Sequence, residues 1–249
     1  MTAGQVVVIR SQDRVVVRLN RPHLRNAIDS RMVDELHTIC AELEREPRIA
    51  LIIGEGGTFA AGADIGQLLD RGREEALQGM NSAIFDRIRR LPMPTIGLID
   101  GYALGGGAEL AYACDFRIGT PGAKIGNPEP SLGIIAAAGG TWRLVELVGE
   151  PTAKEMLLSG RILSADEAHT LRLLNEVVAP EELESAGHRL ADRIAARSPL
   201  AVRLTKSLIH APREAHPLID NIAQAVLFET EEKRSRMTAF LQRTSEVKS

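Results

Sequence analysis

The stretch that most constrains this chain is residues 94–109, PTIGLIDGYALGGGAE. Thr95 to Ile99 has the length and apolar, partly β-branched character of a buried strand. Asp100-Gly101 interrupts it, and Gly105-Gly106-Gly107 lead into a helix-compatible run that contains Glu109, Leu110, Ala111 and Tyr112. The spacing predicts a strand, a glycine turn and a helix start. Three successive residues without Cβ atoms let the backbone come against a ligand. The first N–H groups of the helix lack intrahelical acceptors and lie at its positive end. Negative charge developing on an oxygen can be held there, with Glu109 about one turn into the helix. The same residues also suit a tight crossover of helix on sheet, with Glu109 as a dipole partner. The stretch alone leaves both readings open. It excludes two others: no Gly-Lys-Ser/Thr follows for a Walker loop, and the glycine spacing is not G-x-G-x-x-G.

Other function classes fall on composition. At 249 residues the chain suits one large domain, or a domain with an appendage. Its 30 basic and 33 acidic residues give a net charge of −3, so no global basic field invites nucleic acid. Cys40 and Cys114 are the only cysteines, which fits a reducing compartment rather than a disulfide framework. The six histidines have no paired ligand spacing, so no metal site is expected. No Gly-x-Ser-x-Gly elbow is present. With no signal-peptide layout and no long apolar run, the expectation is a soluble cytoplasmic protein without a membrane span.

The remaining pattern is strands alternating with helices. Val6–Arg10 and residues 15–19 read as a hairpin, followed by a loop through Asn20, Pro22 and Asn26. Asp29 or Ser30 caps a helix over 31–44 whose apolar face is Met32, Val33, Leu36, Ile39, Cys40 and Leu43. Residues 49–53 form a buried strand. TFAAGADIGQLL, residues 58–69, is a second uncluttered loop leading into a helix near Ile65. Two bare-backbone loops, each after a strand, suggest a pocket at one edge of a sheet. Residues 71–90 read as a charged amphipathic helix with Leu77, Met80, Ile84, Phe85 and Ile88 on one side. Phe116–Gly119 and Lys124–Gly126 are short strands. Glu129 stands between Pro128 and Pro130, which stiffen it as a cap or as a positioned catalytic group. Helices follow over 141–148 and 151–159, with a capping box at Ser164-x-x-Glu167 and a last strand at 176–178. From Glu181 the pattern is helical, broken at Ser198-Pro199 and Ala211-Pro212. The organisation expected is an α/β layered core over 1–190 and a helical region over 191–249.

Taken in order, these motifs resemble the crotonase superfamily, the enoyl-CoA hydratase/isomerase family. The segments are NRP…NA at 20–27, TFAAGADI at 58–65, DGYALGGGAEL at 100–110, GNPEPSLGI at 126–134, GGTWRL at 139–144 and FETEE…MTAFLQR at 228–243. The resemblance implies a spiral of ββα units whose C-terminal helices form a trimer, often paired into a hexamer. It implies a coenzyme A thioester as substrate, with no separate cofactor. By position, the N–H groups of Ala63 and Gly106 would form an oxyanion hole. Glu109 and Glu129 match the two carboxylates of hydratases, which implies hydration of an enoyl-CoA, with double-bond isomerisation or another acyl-CoA reaction as the family alternative. A non-catalytic CoA-ester or RNA-binding protein is disfavoured by the intact pair. Arg25, Ala27, Ala61, Asp64, Ile65 and Gly66 match substrate-binding positions, and Phe240 and Arg243 match C-terminal residues that complete the CoA pocket. The chain departs from the family at Gly66, where lysine is common, at Ala136-Ala137, at Pro130 and at Ser235-Arg236. None of these removes a catalytic group, and all bear on substrate choice.

Overall fold

The computed structural model describes residues 4–246. Its valine-rich start pairs as an antiparallel hairpin, β1 (Val6–Arg10) with β2 (Arg14–Leu19). In α1 (Ser30–Arg45), the Asp29 carboxylate caps the helix by accepting from the Met32 N–H at 2.8 Å, a contact worth about 1 kcal/mol. The helix buries the six apolar residues its spacing predicts. The chain then crosses into β3 (Ile49–Gly54), parallel to β2.

Residues 71–90 are not one helix. After α2 (Ile65–Asp70), α3 (Arg73–Gln78) and α4 (Met80–Arg89) join at Gly79, whose φ of 61° is left-handed. Glycine takes that conformation without a Cβ penalty. The break separates Leu77 from the apolar face of α4. Leu77 is 80% exposed, whereas Ile84, Phe85 and Ile88 are buried.

β4 (Thr95–Ile99) is buried throughout and runs parallel to β3. A strand unforeseen in the sequence, β5 (Tyr102–Leu104), then intervenes before α5 (Gly106–Ala113). β6 (Phe116–Gly119) returns to the main sheet, while β7 (Lys124–Gly126) pairs with β5. There follow α6 (Gly140–Val148), α7 (Glu150–Ser159), β8 (Ile162–Ser164), α8 (Ala165–Thr170) and β9 (Glu176–Val177). The expected capping box forms: the Ser164 hydroxyl accepts from the Glu167 N–H and the Glu167 carboxylate from the Ser164 N–H.

Two sheets result. The larger has the order β1-β2-β3-β4-β6-β9, parallel from β2 onward. Its central strands are apolar on both faces, as a parallel sheet covered on both sides requires. The smaller has the order β5-β7-β8. Arg117 of β6 is buried and donates to the carbonyls of Ala111, Cys114 and Leu173, tying the end of α5 to the strand. Burial lowers its pKa to about 10, so it stays charged at neutral pH.

The chain divides into two compact units within α9 (Leu183–Ala195), between Asp192 and Arg193. Both sheets belong to the first unit. The second holds α10 (Pro199–Ile209), α11 (Leu218–Phe228) and α12 (Glu231–Glu246). The breaks at Pro199 and Pro212 fall where the sequence puts them, and a further break precedes α11 at Pro217. Among the described residues no helix is long and apolar enough to cross a membrane.

Candidate active site

The segment before α2 and the start of α5 are built to touch. Residues 59–60 run along β5: the Phe59 N–H donates to the Asp100 carbonyl, Ala60 N–H to Tyr102, and Leu104 N–H back to Ala60. On the far side, Ile28 bridges Ala63. Asn26, fully buried, holds that side in place. Its side chain accepts from the Arg21 N–H and donates to the carbonyls of Glu55 and Thr58. A Cβ on Gly107 would lie 2.1 Å from the Ala60 oxygen, so the close approach needs glycine there. A Cβ on Gly106 would lie 3.4 Å from the Ala63 nitrogen, so these two backbones lie close together. Among the described residues neither the Ala63 nor the Gly106 N–H donates to a protein acceptor.

Both residues line a cleft of about 560 Å³. Glu109 and Glu129 line it too, and both are buried. Glu109 comes from the first turn of α5. One of its oxygens, Oε1, accepts from the N–H groups of Ala138 at 2.7 Å and Gly140 at 2.9 Å. The small-residue run before α6 thus delivers two amides to this carboxylate. Burial pushes the Glu109 pKa up to about 7, the Gly140 and Ala138 amides oppose it, and the charge of Glu129 adds to the rise. Glu129 opens a single 3₁₀ turn, Glu129–Leu132, between the two prolines. The Tyr112 hydroxyl donates to Asn127 Oδ1 at 2.9 Å, and Asn127 Nδ2 donates to Glu129 Oε1 at 3.3 Å. Glu129 Oε2 is buried with no hydrogen-bond partner. Burial raises the pKa of this carboxyl as well.

Six of the sequence-derived residues meet at the cleft: Ala61, Ala63, Ile65, Gly106, Glu109 and Glu129. Others are occupied or lie apart from its lining. Asp64 caps α2 through the Gln67 N–H and pairs with Arg21 at 3.3 Å. The Ala27 carbonyl accepts from Arg21. Gly66 is exposed in the first turn of α2. Arg25 is exposed, and its carbonyl accepts from the Ala61 N–H at the cleft wall. Phe240 and Arg243 are exposed on α12 of the second unit. Sequence reasoning missed Tyr112, Asn127, Ala138, Gly140 and Asn81. Asn81 lines the cleft with its Oδ1 buried and unpartnered. Only Asn127, directly before the Pro-Glu-Pro turn, carried a signal that nearness to Glu129 could have flagged.

Two backbone amides without a protein acceptor among the described residues and two buried carboxyl groups thus line one cleft. Residues 10–246 match the family model described as enoyl-CoA hydratase/isomerase. The chain belongs to the enoyl-CoA hydratase/isomerase family. It is 34% identical to the short-chain-enoyl-CoA hydratase of Clostridium acetobutylicum over 98% of this chain and 97% of that one. It is 34% identical to the crotonyl-CoA hydratase of Syntrophomonas wolfei with the same coverage. The crystal structure of an enoyl-CoA hydratase from Bacillus anthracis superposes with a TM-score of 0.90 at 32% identity, over 96% of each chain.

Proposed function

We propose that this protein adds water across the double bond of trans-2-enoyl-CoA thioesters to give 3-hydroxyacyl-CoA. The observation that carries the reading is the presence, in one cleft, of two neighbouring backbone amides without a protein acceptor and two buried carboxyl groups. Relatives named for hydration of short enoyl-CoA esters support it.

The chemistry needs each part. Attack of water at C3 moves electron density through C2 onto the thioester oxygen. The Ala63 and Gly106 N–H groups stabilise that oxygen, one such donor being worth about 3 kcal/mol. Glu109 takes the proton from the attacking water, and Glu129 supplies one to C2. The product gains OH at C3 from the water and H at C2 from Glu129; the water's proton is left on Glu109, and its return to Glu129 closes the cycle. One group must be ionised and the other protonated at the start. Two buried carboxyls that repel each other's charge favour sharing one proton. Burial and the charge of Glu129 raise the Glu109 pKa, so the assignment of the base role to Glu109 rests on the two amides that oppose this rise, and that of the acid role to Glu129 on its unpartnered Oε2.

Coenzyme A enters as part of the substrate. Its contacts are assigned to Ala61, Ile65 and the backbone around Ala27, Asp64 and Gly66, with Arg25 as the exposed partner; the contribution of Phe240 and Arg243 is assigned in part across the subunit interface of the assembly. The assembly proposed is a homotrimer or homohexamer formed through the helical second unit, whose Leu218, Ile222, Phe228 and Leu241 are apolar and exposed. The test is loss of conjugated-thioester absorbance when purified protein meets crotonyl-CoA, with Glu129→Gln alongside. Rapid loss that the variant abolishes is the expected result. No loss with crotonyl-CoA or longer enoyl esters overturns the reading.

A further inference from the structure

A second cavity of about 360 Å³ adjoins the cleft and shares Ser82, Glu109 and Ala138 with it. Glu109, where the proposed reaction places the reacting carbons, lines both spaces, so this cavity lies beside an acyl chain held in the cleft. Its lining is not what a hydrocarbon tail calls for. Three arginines line it, Arg89, Arg90 and Arg143, against two carboxylates, Asp86 and Glu109.

The ion pairs there are unevenly distributed. Arg90 holds Asp86 at 2.6 Å. Arg143 holds Glu146 at 2.8 Å and donates to the Tyr112 carbonyl. The Glu109 carboxylate is turned to the Ala138 and Gly140 amides. Arg89 keeps only a 3.8 Å approach to Asp86, which already serves Arg90. Its Nε is buried with no hydrogen-bond partner, and its guanidinium lies 5.1 Å from the centre of the Trp142 ring. Burial, then the charge of Arg143, lowers the Arg89 pKa. An arginine whose side chain is only 13% exposed and whose Nε has no partner is short of an anion, and its planar fork matches a carboxylate bidentately. The ring beneath it restricts its orientation.

We propose that this cavity receives a carboxylate at the far end of the acyl chain, bound by Arg89, so that the preferred substrates are CoA thioesters of unsaturated dicarboxylic acids. The proposal rests on the hydratase reading and names its substrate class. Arg89 sets specificity and touches no reacting atom.

The test compares esters of equal carbon number. Wild-type protein is given trans-2-hexenoyl-CoA and its ω-carboxylate, 2,3-dehydroadipyl-CoA, and kcat and KM are read for each. The carboxylate ester is expected to have the higher kcat/KM by about tenfold or more, the scale of one charge-assisted pair. Arg89→Met should remove that preference mainly through KM and leave hexenoyl-CoA within about twofold. Arg89→Lys, which keeps the charge but loses the fork, should retain part of the preference. Calorimetric binding of the saturated pair, adipyl-CoA and hexanoyl-CoA, reads the same preference without turnover. A failure of hydration would therefore strike the activity reading and leave this one tested. Equal binding of both saturated esters by wild type overturns the proposal. So does Arg89→Met weakening both esters alike. A change in oligomeric mass without a change in ester preference would make the cavity a subunit contact and overturn it too.

Discussion

Glu109 and Glu129 enter one cleft from two differently built walls. Glu109 stands on a helix whose every residue is buried, and two backbone amides grip one of its oxygens. Glu129 stands on a single 3₁₀ turn, steadied by proline on either side and by one side-chain amide at 3.3 Å, with its second oxygen unpartnered. Backbone amides are fixed by the fold and cannot turn away. A side-chain amide keeps its orientation only while something holds its other end, here the Tyr112 hydroxyl. The two carboxyls share burial and differ in how rigidly their protonation is set.

The sharpest way to break this comparison separates the two proton transfers. In heavy water a saturated thioester such as butyryl-CoA exchanges hydrogen at C2 if an enzyme group serves that carbon. Glu129→Gln should abolish this exchange, whereas Glu109→Gln should keep a substantial part of it. Both variants should lose hydration by about 10²–10⁴-fold, the usual scale for a positioned acid or base. Mass spectrometry of recovered butyryl-CoA gives the answer. Exchange lost in Glu109→Gln and kept in Glu129→Gln would reverse the assigned roles.

The contrast between the walls was only half legible in the sequence. Gly105 to Gly107 before Glu109, and the prolines around Glu129, announce turns that carry carboxylates, because glycine and proline act locally. The apolar face of α1 was readable for the same kind of reason, since the 3.6-residue period lies within one element. What holds each carboxylate comes from elsewhere in the chain. Ala138 and Gly140 are small residues whose backbone does the work, and backbone donors leave no mark on residue identity. β5 and β8, three residues each, are too short for a periodic signal and exist because β7 pairs with both. Gly79 was in plain view inside residues 71–90, but the apolar pattern continued past it and hid the break. Arg89 read as solvated charge on an amphipathic helix, and only the packing of α4 beside Trp142 buries its Nε.

The amide grip on Glu109 does not fully offset its burial, and stability should record the difference. Its pKa rises from an ordinary value of 4.5 to about 7. Between those values the native state binds more protons at this site than the unfolded chain does, so stability falls as pH rises. The contribution is fully present below about pH 4.5 and lost above about pH 7. Glu109→Gln does not titrate and so escapes this loss at high pH. The variant should therefore be more stable than wild type at pH 8, by about 3 kcal/mol at most, with the gap closing toward pH 4.5. Denaturant unfolding across that range measures it. A gap that does not change with pH would mean that Glu109 is not held up by burial, and the contrast between the walls would lose one side.

The smallest expected effect probes the other wall. Tyr112→Phe deletes the hydroxyl that donates to Asn127 Oδ1, in a fully buried setting. Leaving that acceptor unsatisfied should cost about 1–3 kcal/mol of stability. The catalytic consequence is more specific. With Tyr112 in place, Asn127 must present its NH₂ to Glu129, because its oxygen is taken. Without the hydroxyl the amide can turn, and its oxygen would then face the carboxylate. That disfavours the Glu129 anion and raises its pKa further. If Glu129 donates to C2 as an acid, hydration in the variant should lose only a few-fold in kcat, and the alkaline limb of its pH profile should move to higher pH. Its acidic limb, set by Glu109 and the amides of Ala138 and Gly140, should stay where it is. A profile that only drops, with both limbs unmoved, would leave Tyr112 a packing residue. A shift of the acidic limb instead would make Asn127 the partner of the base and exchange the duties of the two walls.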